Sequence, residues 1–169
     1  MKLRMRYTLF CVVFVLANAA FGRNPRPSFS LTVSLPRSAV KSGSDIEVDV
    51  TMKNISHRDI TAGRIVGTAE AHYEIEVTDS EGKPAAPTRY ERMLRGEPPA
   101  TDHHSVVIGS LRPGQTMQEH FYANQLFVLD KPGEYAIHVS TTVYAGKTAV
   151  KDATKVVVKA NVVTLTVTD

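Results

Sequence analysis

No tryptophan occurs in this chain of 169 residues, and its single cysteine is Cys11. One cysteine cannot close an intrachain disulfide, so a disulfide-stapled fold is excluded. No helical periodicity of any strength and no βαβ spacing is present, which speaks against an α/β enzyme core. There is no internal repeat and no low-complexity tract. A Gly-x-Ser-x-Gly elbow, a His-Glu-x-x-His pair and a phosphate-cradling glycine loop are all missing. The most recognisable serine-hydrolase, zinc-protease and nucleotide-binding readings go with them. Hydrophobic residues at 43% and charged residues at 22% still leave enough apolar material for one folded domain, and exclude a disordered or multi-span membrane chain.

The N-terminus carries an address. Lys2, Arg4 and Arg6 form a basic region, Tyr7 to Leu16 an apolar one, and Ala17-Asn18-Ala19 a small-x-small cleavage site. This is the three-part pattern of a secretory signal peptide over residues 1–19, with the domain proper at 20–169. Its apolar stretch is shorter than the roughly 18–20 residues of a spanning helix, so no integral membrane segment is expected after cleavage. Cys11 follows Phe10 and lies inside the apolar region, which does not suit a lipidation site. Cleavage removes three basic residues, so 20 Lys and Arg become 17, equal to the 17 Asp and Glu. A neutral mature domain gives no electrostatic footprint for nucleic acid. The expected location is the periplasm or the outside of the cell.

The rest of the chain alternates. Ser28 to Leu35 places apolar residues at odd positions. Asp45 to Asn54 turns Ile46, Val48, Val50 and Met52 one way and Asp45, Glu47, Asp49 and Thr51 the other. His72 to Asp79 alternates again, with Tyr73, Ile75 and Val77 inward and His72, Glu74 and Glu76 outward. Further strands are expected over 105–111, 116–122, 135–144, 156–158 and 163–167, with a weaker edge strand or loop at 60–69. The inward parity flips between Val158 and Val163, which calls for a bulge or bend near Asn161. Turns fall at Ser42-Gly43-Ser44, 79–83, Arg112-Pro113-Gly114-Gln115, 130–133 and Gly146-Lys147. A long loop at about 80–104 interrupts the series and holds Pro84, Pro87, Pro98 and Pro99, with one or two helical turns possible over 88–95. These signals predict an all-β fold, an immunoglobulin-like antiparallel β-sandwich of about seven to nine strands.

Three stretches resemble exported bacterial immunoglobulin-like and fibronectin-type-III-like domains. They are Gly43-x-x-Ile46-x-Val48-x-Val50-x-x-x-Asn54, Pro132-Gly133-x-Tyr135-x-Ile137, and Asn161-x-Val163-Thr164-Leu165-Thr166-Val167. The resemblance implies that Tyr135 is a corner tyrosine whose hydroxyl bonds back to the preceding loop. A narrower likeness is to BsuPI-type proteinase inhibitors. It rests on Asn54-Ile55-Ser56, Asp79-Ser80-Glu81-Gly82, Leu111-Arg112-Pro113-Gly114 and Gly133-Glu134-Tyr135, in that order.

Candidate chemistry is sparse, and each candidate has a plainer explanation. Arg89, Tyr90, Arg92 and Arg95 on the long loop are residue types enriched at binding hot spots; the plainer explanation is a solvated edge. His72, Glu74 and Glu76, with His138 on a neighbouring strand, could hold zinc, but outward polar residues on a half-exposed strand are the default. Adjacent residues of extended chain point apart, so Asp102-His103-His104 suits a solvated loop better than a metal site. Asp45, Glu47 and Asp49 read as a solvated face before a calcium site. Tyr90, Tyr122 and Tyr144 are the rings that could meet a carbohydrate. Asn54-Ile55-Ser56 is also a formal glycosylation sequon. No catalytic set and no cofactor are expected. The expected function is a non-enzymatic binding or interaction module, with a protein partner and a carbohydrate as the alternative. A protease inhibitor of the envelope or secreted space is the runner-up, and a hydrolase or metal-binding domain the third reading.

Overall fold

A computed structural model describes residues 27–65, 69–97, 106–145 and 154–169. Residues 1–19, expected to be a signal peptide, and His103 and His104 lie outside these. The strands are β1 (Phe29–Ser34), β2 (Ala39–Lys41), β3 (Glu47–Asn54), β4 (Ile60–Ile65), β5 (Glu74–Asp79), β6 (Val106–Leu111), β7 (Thr116–Tyr122), β8 (Gly133–Ala145), β9 (Thr154–Lys159) and β10 (Val163–Thr168). Two short helices, α1 (Arg89–Leu94) and α2 (Ala123–Leu126), and a 3₁₀ turn at Ala69–His72 complete the described elements. Among the described residues no helix is long and apolar enough to cross a membrane.

The chain is an all-β sandwich. One sheet has the order β1-β3-β7, the other β2-β10-β8-β5 with β9 also paired to β8, and β4 pairs with β6 as a separate ribbon. All pairings are antiparallel except β2 with β10. Alternation decides what lies between the sheets. Leu31, Val33, Val48, Val50 and Phe121 come from one inner face; Ile75, Val77, Ile137, Val139, Leu165 and Val167 come from the other. Ile137 and Leu165 have no exposed surface, so each contributes close to its full transfer free energy, roughly 1.5–3 kcal/mol.

The turns follow from their residues. Pro113-Gly114 closes β6 into β7, with Gly114 at φ 80° and the Gln115 amide donating to the Arg112 carbonyl at 3.0 Å. The Tyr135 hydroxyl donates to the Lys131 carbonyl at 2.9 Å, the back-bond expected of a corner tyrosine. Ser140 of β8 faces Lys159, while Ile137 faces Val163. Three steps along β8 are thus matched by four along its partner, which is the one-residue bulge that the parity flip requires. From this bulge the Asn161 side chain reaches across to β1. Its Oδ1 accepts from the Val33 amide and its Nδ2 donates to the Val33 carbonyl, both at 2.9 Å.

Three local expectations are corrected. The segment 69–72 is a 3₁₀ turn, so β5 begins at Glu74 and not at His72. β2 is an additional strand with a single buried residue, Val40, too short to leave a periodic signal. The long loop is anchored over its described part, to residue 97. Pro84 bridges to Thr78 and Pro87 to Phe127, and α1 packs on α2. Thr88 caps α1 by accepting from the Glu91 amide at 3.2 Å, while its own amide donates to the Leu126 carbonyl at 2.8 Å.

Candidate functional site

In β7 the alternation puts Met117, Glu119 and Phe121 on the inner face. The register proves it, because Glu119 stands opposite Val50 and Met117 opposite Met52. Glu119 is therefore a carboxylate on a core-facing position, and it is buried. A cleft of about 360 Å³ opens there, with Phe29, Met52, Met117 and Glu119 on one side. Ile60 and Thr61 of β4, Ala71 and His72 of the 3₁₀ turn, Tyr73, and Thr141 and Thr142 of β8 form the rest.

The polar groups in the cleft are tied together. The Tyr73 hydroxyl donates to Glu119 Oε2 at 2.7 Å. His72 Nδ1 lies 3.6 Å from the same oxygen, beyond hydrogen-bond length but within ion-pair reach when the imidazole is protonated. Burial pushes the Tyr73 phenol well above its ordinary range, and the bond to Glu119 and that residue's charge push the same way. The phenol is held protonated as a donor. This has a sign for stability. The unfolded chain releases the phenolic proton from about pH 10 upward while the folded chain keeps it. Tyr73 thus contributes stability that is complete below that pH and is lost above it, by up to about 1.4 kcal/mol per pH unit. Urea midpoints measured from about pH 8 to about pH 11 should fall more steeply for the wild type than for Tyr73→Phe. Parallel curves would show that the phenol is not held in this way.

A second polar cluster supports the cleft from behind. The Tyr90 hydroxyl donates to Glu70 Oε1 at 2.6 Å, which raises the phenol's pKa after the effect of burial, with the charges of Glu70 and Glu91 adding to it. Arg95 Nε donates to Glu91 Oε1 at 2.9 Å, and Arg95 Nη2 donates to the Tyr73 carbonyl at 3.1 Å. Arg92 donates to Glu97 Oε2 at 2.7 Å and to the Pro87 carbonyl at 3.1 Å. Of the four residues expected to form a binding loop, Tyr90, Arg92 and Arg95 are thus engaged within the chain. Tyr90 and Arg95 hold the 3₁₀ turn and Tyr73 in place. Arg89 is exposed on α1. Glu91 Oε2 is buried and accepts no hydrogen bond.

The outer-face cluster divides. Glu76 stands opposite His138 and Glu74 opposite Ser140. Glu74 accepts from Ser140 at 3.5 Å and from Thr142 at 3.3 Å. His72 does not join them, because the 3₁₀ turn rotates it into the cleft. Among the described residues no group of three His, Cys, Asp or Glu is placed to hold a metal ion. On the other sheet's outer face Asp49 pairs with His120 and Glu47 with Tyr122, whose ring meets that of His120 edge-on. Asp45 accepts from Asn124 at 3.4 Å. Tyr144 lies in β8 opposite Lys155. The sequon is overturned by burial. Asn54 is buried, and its Nδ2 already donates to the carbonyls of Arg58 and Leu111, both at 2.8 Å, so no glycan can be carried there.

The sequence reading passed over Glu119. Its signal was the alternation Met117-x-Glu119-x-Phe121, which sets a carboxylate on the apolar side of a strand.

No protein-family model matches the sequence, and no curated protein matches it. Among solved structures, the chain is similar to the sporulation control protein Spo0M from Bacillus subtilis, at 11% identity and a TM-score of 0.46, over 85% of this chain and 51% of that one. A β-glucosidase from Listeria innocua in complex with glucose is similar at 18% identity and TM-score 0.36, over 78% of this chain and 16% of that one. A β-D-glucoside glucohydrolase from Trichoderma reesei is similar at 17% and 0.36, over 83% and 19%. The chain spans about half the length of Spo0M and under a fifth of either glycosidase. At these scores the likeness carries no function across.

Proposed function

We propose that this chain is an exported, immunoglobulin-like binding module without a catalytic role, and that its ligand sits in the cleft around Glu119. One observation carries the reading: a buried carboxylate on the inward face of β7, bonded to Tyr73 and lining a cleft of about 360 Å³. A buried carboxylate is costly unless it is paired and hydrogen-bonded, and Glu119 is held by Tyr73 and faces His72. The cleft volume lies in the range of about 300–1,000 Å³ typical of small-ligand sites. Its polar groups converge on one spot within apolar walls, the usual composition of such sites.

The chemistry of the cleft favours holding over turnover. Nucleophilic catalysis needs a hydroxyl or thiol activated by a base. Tyr73 is kept protonated, and the Thr141 hydroxyl is spent on the His72 carbonyl at 3.1 Å. The four motifs shared with BsuPI-type inhibitors lie at strand ends and the turns beside them, which supports a sandwich framework before an inhibitory surface. Export rests on the leader at 1–19, and the immunoglobulin-like framework is supported by the Tyr135 back-bond.

The test is amide shift mapping on isotope-labelled protein with a set of small amines, hydroxy acids, sugars and metal salts. Shifts should gather on 71–73, 117–119 and 141–142. Gathering on α1 around Arg89, or around Glu76 and His138, would move the site and sink this reading. The variant Glu119→Gln keeps the side-chain volume and an acceptor for the Tyr73 hydroxyl while removing the charge, and in a folded protein it should lose or weaken the shifts.

A further inference from the structure

We propose that the exposed ridge Pro84-Ala85-Ala86-Pro87-Thr88-Arg89 docks a second protein, one whose groove is lined by aromatic rings and ends in a carboxylate. None of these residues lines the cleft, so this surface stands or falls independently of the cleft's role.

Proline dictates the shape of the ridge. Each ring fixes φ at about −65°, and the residue before each proline is held to extended or polyproline II backbone. A polyproline II chain turns once in three residues, a rise of about 9 Å. Pro84 and Pro87 therefore fall on one edge, and both are exposed. This Pro-x-x-Pro spacing is what aromatic-lined grooves read. Arg89 follows at the first position of α1 and is also exposed. Among the described residues none hydrogen-bonds or ion-pairs with its side chain. Arg92 and Arg95, by contrast, are spent on Glu97 and Glu91.

The body of the protein backs the ridge. The Ala85 amide donates to the Val77 carbonyl at 2.8 Å, and the Thr88 amide to the Leu126 carbonyl at 2.8 Å. The Ala86 carbonyl accepts from the Val128 amide at 2.9 Å. Ala85 packs against the core while Ala86 is exposed. Val128, bonded to Ala86, is 46% exposed and widens the apolar strip beside the prolines. A free proline-rich peptide must be ordered as it binds, whereas this one is ordered beforehand, which lowers the entropy cost of docking. The mode of docking is also narrowed. Pro84 and Pro87 have no N–H to offer, so the ridge is a poor template for an added strand. An apolar strip ending in an unspent guanidinium fits aromatic rings ending in a carboxylate, which that planar group pairs with in two parallel bonds.

The probe is a purified SH3 domain chosen for carboxylates beside its aromatic groove, titrated into the isotope-labelled full chain. Amide shifts should gather on Ala85, Ala86, Thr88, Arg89 and Val128. Pro87→Ala and Arg89→Ala should each weaken the complex by about tenfold or more, as loss of a hot-spot contact does. Arg89→Lys keeps the charge without the planar fork and should recover only part of the loss. Arg89 is exposed, so its variants keep the fold and report recognition. Val157→Thr, exposed on β9, should bind as the wild type does. Absence of shifts at millimolar domain overturns the proposal, as does equal binding by folded Pro87→Ala and Arg89→Ala proteins. Shifts that gather on the cleft or on β9 overturn it too. So do shifts at 85–89 that appear with the chain's own concentration alone, which would make the partner a second copy.

Discussion

Asn54→Ala is expected to destabilise the fold by about 3 kcal/mol, with a fall in melting temperature of about 6–12 °C for a chain of this length. The Asn54 side chain fills all the roles that an amide has. Nδ2 donates to the Arg58 and Leu111 carbonyls, and Oδ1 accepts from the Ser56 amide and hydroxyl, each at 2.8 Å. These four bonds join the end of β3, the loop after it and the end of β6. The Asn54 backbone completes the knot by bonding Gln115 and Gly114 at the Pro113-Gly114 turn. Alanine removes the four side-chain bonds and leaves a small void at a residue only 1% exposed. Ser56→Ala should cost less, about 1 kcal/mol, because the Ser56 amide can still donate to Asn54. Thermal melts of both variants check the ranking. A change below about 1 kcal/mol for Asn54→Ala would mean that water replaces the amide at no great cost.

The strands were legible because burial here is one-sided, and a one-sided strand writes its face into every second residue. β1, β3 and β5 are legible in this way, and the bulge at Asn161 shows as a parity change. What could not be read were features without a period. β2 buries only Val40, and the 3₁₀ turn at Ala69–His72 replaces the first residues of an apparently continuous alternation. That turn decided the site. It moved His72 from an outer face with Glu74 and Glu76 to the cleft with Glu119. The loop is hard to read for a related reason. Arg89, Tyr90, Arg92 and Arg95 look like a solvent-facing set by composition, but Tyr90 and Arg95 have partners, Glu70 and the Tyr73 carbonyl, some twenty residues away in sequence. Charge and ring content say that such residues want partners; they do not say whether the partner is in the same chain.

Replacing residues 86–97 by a short Gly-Ser linker should therefore lower stability by about 4 kcal/mol or more, and the melting temperature by roughly 8–16 °C. A binding loop carried on a finished scaffold would leave melting unchanged. Here the replacement removes the Thr88 amide from the Leu126 carbonyl and frees the Val128 amide by displacing Ala86. It also removes Leu94 from the apolar core and the bonds from Tyr90 to Glu70 and from Arg95 to the Tyr73 carbonyl. Each hydrogen bond contributes about 0.5–1.5 kcal/mol, and leaving Glu70 buried without its donor costs more than the bond itself. Arg89→Ala separates the two roles of the segment. That residue is exposed on α1, so the change should move stability by less than about 0.5 kcal/mol. Arg95→Ala should do the opposite of a surface change. It leaves the Glu91 carboxylate buried without its cation and releases the turn that carries His72 and Tyr73, so ligand capture in the cleft should weaken although Arg95 does not line it. Differential scanning calorimetry of the three variants, with binding measured on each folded one, distinguishes a strut from a docking loop. An unchanged melt for the linker variant would return the segment to the role of an appendage.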